Sequence, residues 1–199
     1  MAIENQEGVN EEDIQEFTLY GHSFKLFVHS FLGLGQTEVG HQYLDSESCF
    51  ANAYALPSGK MGRGDAITCE KEVALLLNQV HQVNQTLLPV MAANPVNDWF
   101  VMGGMASLAQ EKPFQFEKNQ FTNDALLEQA NTQVCQQEWP TLKTQYPNND
   151  YLYNYCFLPS YYYALMVEGY GIPSSKPINY LPSNQGDWTM GVVLLQSVG

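Results

Sequence analysis

Basic residues are scarce in this chain of 199 residues: 8 Lys and Arg stand against 21 Asp and Glu, a formal net charge of -13. A surface of that sign repels nucleic-acid backbones and anionic lipid, so neither is an expected partner. It also disfavours a site in which basic side chains grip phosphates. A phosphate held here would need backbone N–H groups or a metal ion. No apolar run approaches the length of a membrane span. Phosphate-loop signatures are missing too. Gly33-Leu34-Gly35 lacks the third glycine of a dinucleotide fingerprint and the Gly-Lys-Ser/Thr ending of a P-loop. The histidines, His22, His29, His41 and His81, are scattered, with no pair at metal-ligand spacing on one helix. No Ser-His-Asp or Cys-His set assembles with any specificity.

Cysteine is limited to Cys49, Cys69, Cys135 and Cys156, without the close pairs of a zinc site. Sequential pairing would close two loops, each worth about 3 kcal/mol in the chain-entropy account. Four buried thiols are the alternative that spacing leaves open. The first stretch, "MAIENQEGVNEEDIQEF", is acidic and polar, unlike a signal or transit peptide. Any export signal is therefore expected outside these residues. Residues 1–15 read as a mobile acidic arm.

What the chain does have is apolar content, 45%, enough to fold around a core. "EFTLYG" (16–21) and "SFKLFVHSF" (23–31) read as strands joined by a tight Gly-His turn. The second is apolar on both faces, which predicts a central strand. Inside it, His29 reads as a hydrogen-bonded core residue. "TEVGHQYL" reads as a helix after the glycines. Residues 50–68 form a Gly/Pro-rich loop containing Arg63-Gly64-Asp65, a tripeptide found in integrin ligands that also recurs by chance. From Glu70 to Leu88, Val73, Leu76, Leu77, Val80, Val83 and Leu87 follow helical spacing. Asn84-Gln-Thr86 matches a glycosylation sequon, poorly placed in a helix. Trp99–Met102 reads as a short strand leading through Gly103-Gly104 into a helix. A further helix over 122–139 has Thr122 as N-cap and Asp124 in its first turn. "PNND" (147–150) is a turn, followed by a helix from Asp150 to Glu168 ended by Gly169 and Gly171. "PINYLP" reads as a short strand, and "DWTMGVVLLQSV" as a final helix or strand with Asp187 as a cap. This order predicts a mixed α/β or α+β lobe. Seven tyrosines crowd residues 151–170, and Tyr151 and Tyr155 fall at i, i+4 spacing. Such rings suit stacking on a base, or ordinary packing.

Three blocks carry a resemblance. "LYGHSFKLFVHSFLGLGQTEV", "VCQQEWPTLKTQYPNNDYLYNYCFLPSYYYALMVEGYGI" and "GDWTMGVVL" stand in the order seen in ecto-nucleoside triphosphate diphosphohydrolases, the apyrases. Val192 occupies a position where that family has tyrosine. The match covers about residues 16–198, and "SYYYALM" is similar to the bacterial, secreted branch. The resemblance implies an α/β, actin-like (ribonuclease H-like) lobe, a central sheet with packed helices. The resemblance further implies that the chain is most of the C-terminal lobe of a two-lobe enzyme. Such enzymes hydrolyse the terminal phosphate of nucleoside tri- and diphosphates with Mg or Ca and an activated water. The N-terminal lobe's phosphate loop and the catalytic Glu have no counterpart here, and the Asp-x-Gly-Gly loop would precede residue 1. The implied role of residues 16–199 is therefore base recognition, with no turnover by the chain alone; no catalytic or metal-ligating residue is assigned. By this resemblance Tyr151, Tyr155 and Ser107 meet the base. Cys49 pairs with Cys69, and Cys135 with Cys156, in an oxidising, secreted or periplasmic compartment. The expected partners are nucleotides and the missing lobe. The rival reading is a non-catalytic secreted binding module derived from the same fold, with "GRGD" as its candidate epitope.

Overall fold

The computed structural model describes residues 1–181. The calls on Asp187 and on "DWTMGVVLLQSV" lie outside the described residues. The chain opens with an antiparallel hairpin, β1 (Ile14–Leu19) and β2 (His22–Phe27), in full register from Ile14↔Phe27 to Leu19↔His22. Its two-residue turn is Tyr20-Gly21, one position earlier than the expected Gly-His turn. Both residues have positive φ (50° and 78°), the left-handed backbone that matches the twist of the flanking strands.

β2 is not a central strand. Among the described residues the hairpin is its own two-stranded sheet, and β2 is exposed along most of its length. Two-sided apolarity has another origin here: Phe24 and Phe17 stack across the strands at 5.3 Å on the open face, while Phe27 turns inward. The arm expected over residues 1–15 is tied at its start. Ile3 is buried and its N–H donates to the Lys25 carbonyl. The Asn94 side chain accepts from the Glu4 and Asn5 N–H groups. His29 is hydrogen-bonded as expected, its Nδ1 lying 2.7 Å from Asp13 Oδ1, but on the surface rather than in the core.

After a loop, α1 (Gln36–Gln42) runs along the body. The helical centre is α2 (Ala66–Leu75) packed on α7 (Phe157–Tyr163). Ser160 joins them, its buried hydroxyl 3.0 Å from the Ala66 carbonyl. Between these lie α3 (Val83–Ala93), β3 (Trp99–Val101), α4 (Gly104–Gln110), β4 (Gln120–Phe121), α5 (Asn123–Ala130) and α6 (Trp139–Gln145). β5 (Ile178–Tyr180) follows α7. β5 pairs parallel to β3 and antiparallel to β4 in a second small sheet. The architecture is mixed α/β, with two separate small sheets among the described residues in place of the single central sheet expected.

Three predicted long helices are interrupted. The 70–88 helix widens over Leu76–Val80 and breaks at Gln82, whose φ is +54°. That phase shift swings Val80 into solvent while Val73, Leu77, Val83 and Leu87 stay buried. Asn78 bridges the break, accepting from the Asn84 N–H at 3.2 Å and donating to the Glu168 carbonyl at 3.0 Å. The 122–139 helix widens and ends by Cys135, though Thr122 caps it as expected, accepting from the Ala125 N–H at 3.2 Å. The 150–168 helix divides into a single turn, Leu152–Asn154, then α7, then a widened turn over Ala164–Gly169. A spacing of three to four residues persists through such breaks, so periodicity alone does not reveal them.

Both disulfides, Cys49–Cys69 and Cys135–Cys156, are formed, each with a Cα–Cα separation of 5.0 Å, and all four cysteines are fully buried. They are neighbours: Cys156 Sγ lies 3.6 Å from the Ser48 carbonyl. Together they anchor the loop over 50–65 to α2, α7 and the end of the widened helix before Gln136.

Candidate functional site

A cleft of about 620 Å³ opens between α1, α4 and the segment leading into α7. A shallower groove of about 530 Å³ adjoins it, and Glu111 and Tyr151 line both. The three residues expected to meet a base, Ser107, Tyr151 and Tyr155, all line the cleft. They differ in presentation. Tyr151 is 67% exposed and offers its ring; its N–H donates to Asn149 Oδ1 at 3.0 Å, which fixes the turn that carries it. Tyr155 is 2% exposed, its ring against Phe114 at 5.6 Å, and its hydroxyl donates to Glu111 Oε2. The two tyrosines do not share a continuous helix face. They flank the single turn Leu152–Asn154, which sends one ring outward and the other under the cleft. Ser107 is exposed on α4, one turn before Glu111.

The opposite wall comes from α1. Gln36, its first residue, accepts from the Tyr162 hydroxyl at 2.5 Å. The approach is close enough that a Cβ on Gly104 would stand 2.5 Å from Gln36 Oε1, so a larger residue there would displace the Gln36 amide. Beside them, the Tyr161 hydroxyl donates to the Leu34 carbonyl at 2.5 Å. Burial first, with Tyr170 nearby, pushes the Tyr161 phenol up to about 12. Burial and then Tyr161 push Tyr162 further still. Burial first and then the hydrogen bond to Glu111 drive Tyr155 well above the ordinary phenol value. All three phenols therefore remain hydrogen-bond donors at neutral pH, and they hold the cleft walls in fixed positions.

Sequence reasoning missed Gln36, His41 and Glu111 as cleft residues. One signal was available: Ser107 and Glu111 stand at i, i+4 spacing, one face of a short helix. Among the described residues, no group of three or more His, Cys, Asp or Glu is placed to hold a metal ion. In the Arg-Gly-Asp tripeptide Arg63 and Asp65 are exposed and Gly64 is buried, and Arg63 Nε lies 3.1 Å from Glu47 Oε2. The Asp65 carboxylate caps α2, accepting from the Ile67 and Thr68 N–H groups (3.1 and 3.0 Å) and the Thr68 hydroxyl (2.6 Å).

Residues 48–198 match the GDA1/CD39 (nucleoside phosphatase) family. The chain is 24% identical over 226 residues to mouse (Mus musculus) ectonucleoside triphosphate diphosphohydrolase 1, covering 92% of this chain and 44% of that protein. It is 24% identical over 238 residues to chicken (Gallus gallus) ectonucleoside triphosphate diphosphohydrolase 8, covering 95% of this chain and 47% of that one. It thus spans less than half the length of these curated relatives. The family match runs over most of the chain: this chain belongs to the GDA1/CD39 (nucleoside phosphatase) family.

Proposed function

We propose that residues 16–199 are the base-recognition lobe, actin-like in fold, of a secreted or periplasmic nucleoside triphosphate diphosphohydrolase. In the intact protein the reaction is hydrolysis of the terminal phosphate of nucleoside tri- and diphosphates. A partner lobe outside these residues supplies the phosphate loops and the catalytic Glu. A divalent cation, Mg or Ca, neutralises charge on the transferring phosphoryl group. Residues 1–15 form an arm preceding the lobe. In this reading Tyr151 stacks on the base, Tyr155 supports the wall beneath it and Ser107 hydrogen-bonds the base edge.

The observation that carries the reading is that Ser107, Tyr151 and Tyr155, separated by up to 48 residues in sequence, line a single cleft. The disulfides support the oxidising compartment. The acidic balance fits a lobe that holds the base rather than the phosphates.

Titration of the chain with a nucleoside monophosphate, followed by NMR or calorimetry, tests it. Binding is expected, and Tyr151→Ala should weaken it about tenfold, the value of one base–aromatic stack. Unchanged affinity in that variant refutes the stacking role. The chain alone with ATP and Mg should release no phosphate above the buffer rate; robust turnover refutes the division of labour between lobes.

A further inference from the structure

We propose that Glu111 reads the hydrogen-bonding edge of the base and makes the cleft selective for guanine, an inference that rests on the base-recognition reading above. Glu111 follows the last residue of α4, and its N–H donates to the Ser107 carbonyl at 3.1 Å and the Leu108 carbonyl at 3.3 Å. Ser107 and Glu111 therefore stand one turn apart, and both line the cleft. The carboxylate stands where the cleft meets the adjoining groove. Its Oε2 is held by the hydroxyl of Tyr155, a residue itself locked in the core by Phe114. That contact leaves the other oxygen, and a second lone pair on Oε2, free to accept. None of the ion pairs among the described residues engages Glu111.

An ionised carboxylate only accepts hydrogen bonds. A fixed carboxylate beside a stacking ring thus discriminates bases by the N–H groups they present. Guanine offers N1–H and the N2 amino group side by side, a bidentate match for two carboxylate lone pairs. Hypoxanthine keeps N1–H and lacks the amino group. Adenine presents a single amino group. Uracil presents one N–H between two carbonyl oxygens, which would face the carboxylate unfavourably. Charge-assisted, bidentate pairs of this kind are the strong ones. Stacking on Tyr151 is indifferent to base identity, so the ranking among bases would come from Glu111.

The test is calorimetric or NMR titration of the 199-residue chain with the 5′-monophosphates of guanosine, inosine, adenosine and uridine, which share one phosphate and differ only in the base. GMP is expected to bind about tenfold or more tightly than UMP, with IMP between them. Glu111→Gln should lower GMP affinity about tenfold and flatten or reverse the ranking, because the amide accepts from Tyr155 and turns an NH₂ donor into the cleft. Glu111 is exposed, so the thermal melt should be unchanged, and that melt is the folding control. Equal affinities for all four, unchanged by Glu111→Gln but weakened by Tyr151→Ala, would overturn the Glu111 role and leave the stacking site intact. If none binds and Tyr151→Ala changes nothing, the base site itself is wrong, and this inference falls with it.

Discussion

Gly64 lies in the loop clamped by the two disulfides, at φ +50°, a backbone conformation that side chains disfavour. A Cβ there would stand 1.7 Å from the Cys135 carbonyl oxygen and 3.2 Å from the Asn52 nitrogen. That carbonyl is already engaged, accepting from the Asn52 N–H at 3.0 Å. Gly64→Ala therefore carries two costs. The left-handed backbone costs about 1–2 kcal/mol for a residue with a Cβ. Forcing the carbonyl of a disulfide-bonded residue aside is overpacking against a rigid neighbour, about 1–3 kcal/mol. Together these remove about 2–5 kcal/mol, a large share of the roughly 5–15 kcal/mol typical of a domain. For a chain of this size that lowers Tm by about 5–15 °C, measurable by circular dichroism. Gly59 supplies the control. Its φ is +84°, yet nothing lies within 4 Å of a Cβ built there. Gly59→Ala keeps the backbone cost and lacks the clash, so it should lose only about 1–2 kcal/mol. If the two variants melt together, or Gly64→Ala melts like the parent, the close packing of this loop against Cys135 is wrong.

Removing one disulfide, by Cys49→Ala with Cys69→Ala, should cost about 3 kcal/mol in urea unfolding. Because Cys156 lies against the Ser48 carbonyl, a double-mutant cycle across both disulfides should depart from additivity by more than about 0.5 kcal/mol; strict additivity would mean the two bridges act independently. Asp65→Asn should weaken the cap of α2 by about 1 kcal/mol or less near neutral pH. Hydrogen bonds from Thr68, its hydroxyl first, hold the Asp65 carboxyl below its usual value of 3.8, so its contribution is present above that value and is lost as pH falls through the depressed one. The stability gap between parent and variant should therefore close below about pH 4, and a gap that persists there counts against the cap. At the alkaline end the sign reverses. Tyr161 is pushed from 10.0 up to about 12 by burial, so the fold favours the protonated phenol. The Tyr161 contribution should be constant below pH 10 and be lost as pH rises towards 12. Ultraviolet titration should show Tyr161 ionising only with unfolding; its ionisation while circular dichroism still reports the folded chain would refute the buried contacts.

Much of the local structure was legible. Thr122 caps α5 because a threonine before an apolar-periodic stretch satisfies an orphan N–H. The short strands at Trp99 and Ile178, and the helix after Gly35, followed from β-branched or aromatic runs and from glycine punctuation. The interruptions at Gln82, Cys135 and Tyr155 were not legible, since apolar spacing survives a widened turn. Nor was the exposure of β2, because Phe24 looks the same whether it faces a core or only Phe17. At the candidate site, Ser107, Tyr151 and Tyr155 were named through resemblance. Their unequal exposure was hidden: Tyr155 lies in the core, and its hydroxyl finds Glu111, 44 residues away.

The sequence by itself determined the acidic character and the tyrosine-rich segment and, through its resemblance to a family, the family and the expected cysteine pairing, because composition and ordered motifs need no knowledge of long-range contacts. Only the tertiary structure decided that α1, α4 and the turn before α7 meet around one cleft. It alone set Tyr151 outward and Tyr155 inward, and brought Glu111 to the Tyr155 hydroxyl. These depend on breaks in helical phase and on packing between distant segments, and both are settled by which contacts the folded chain can satisfy at once.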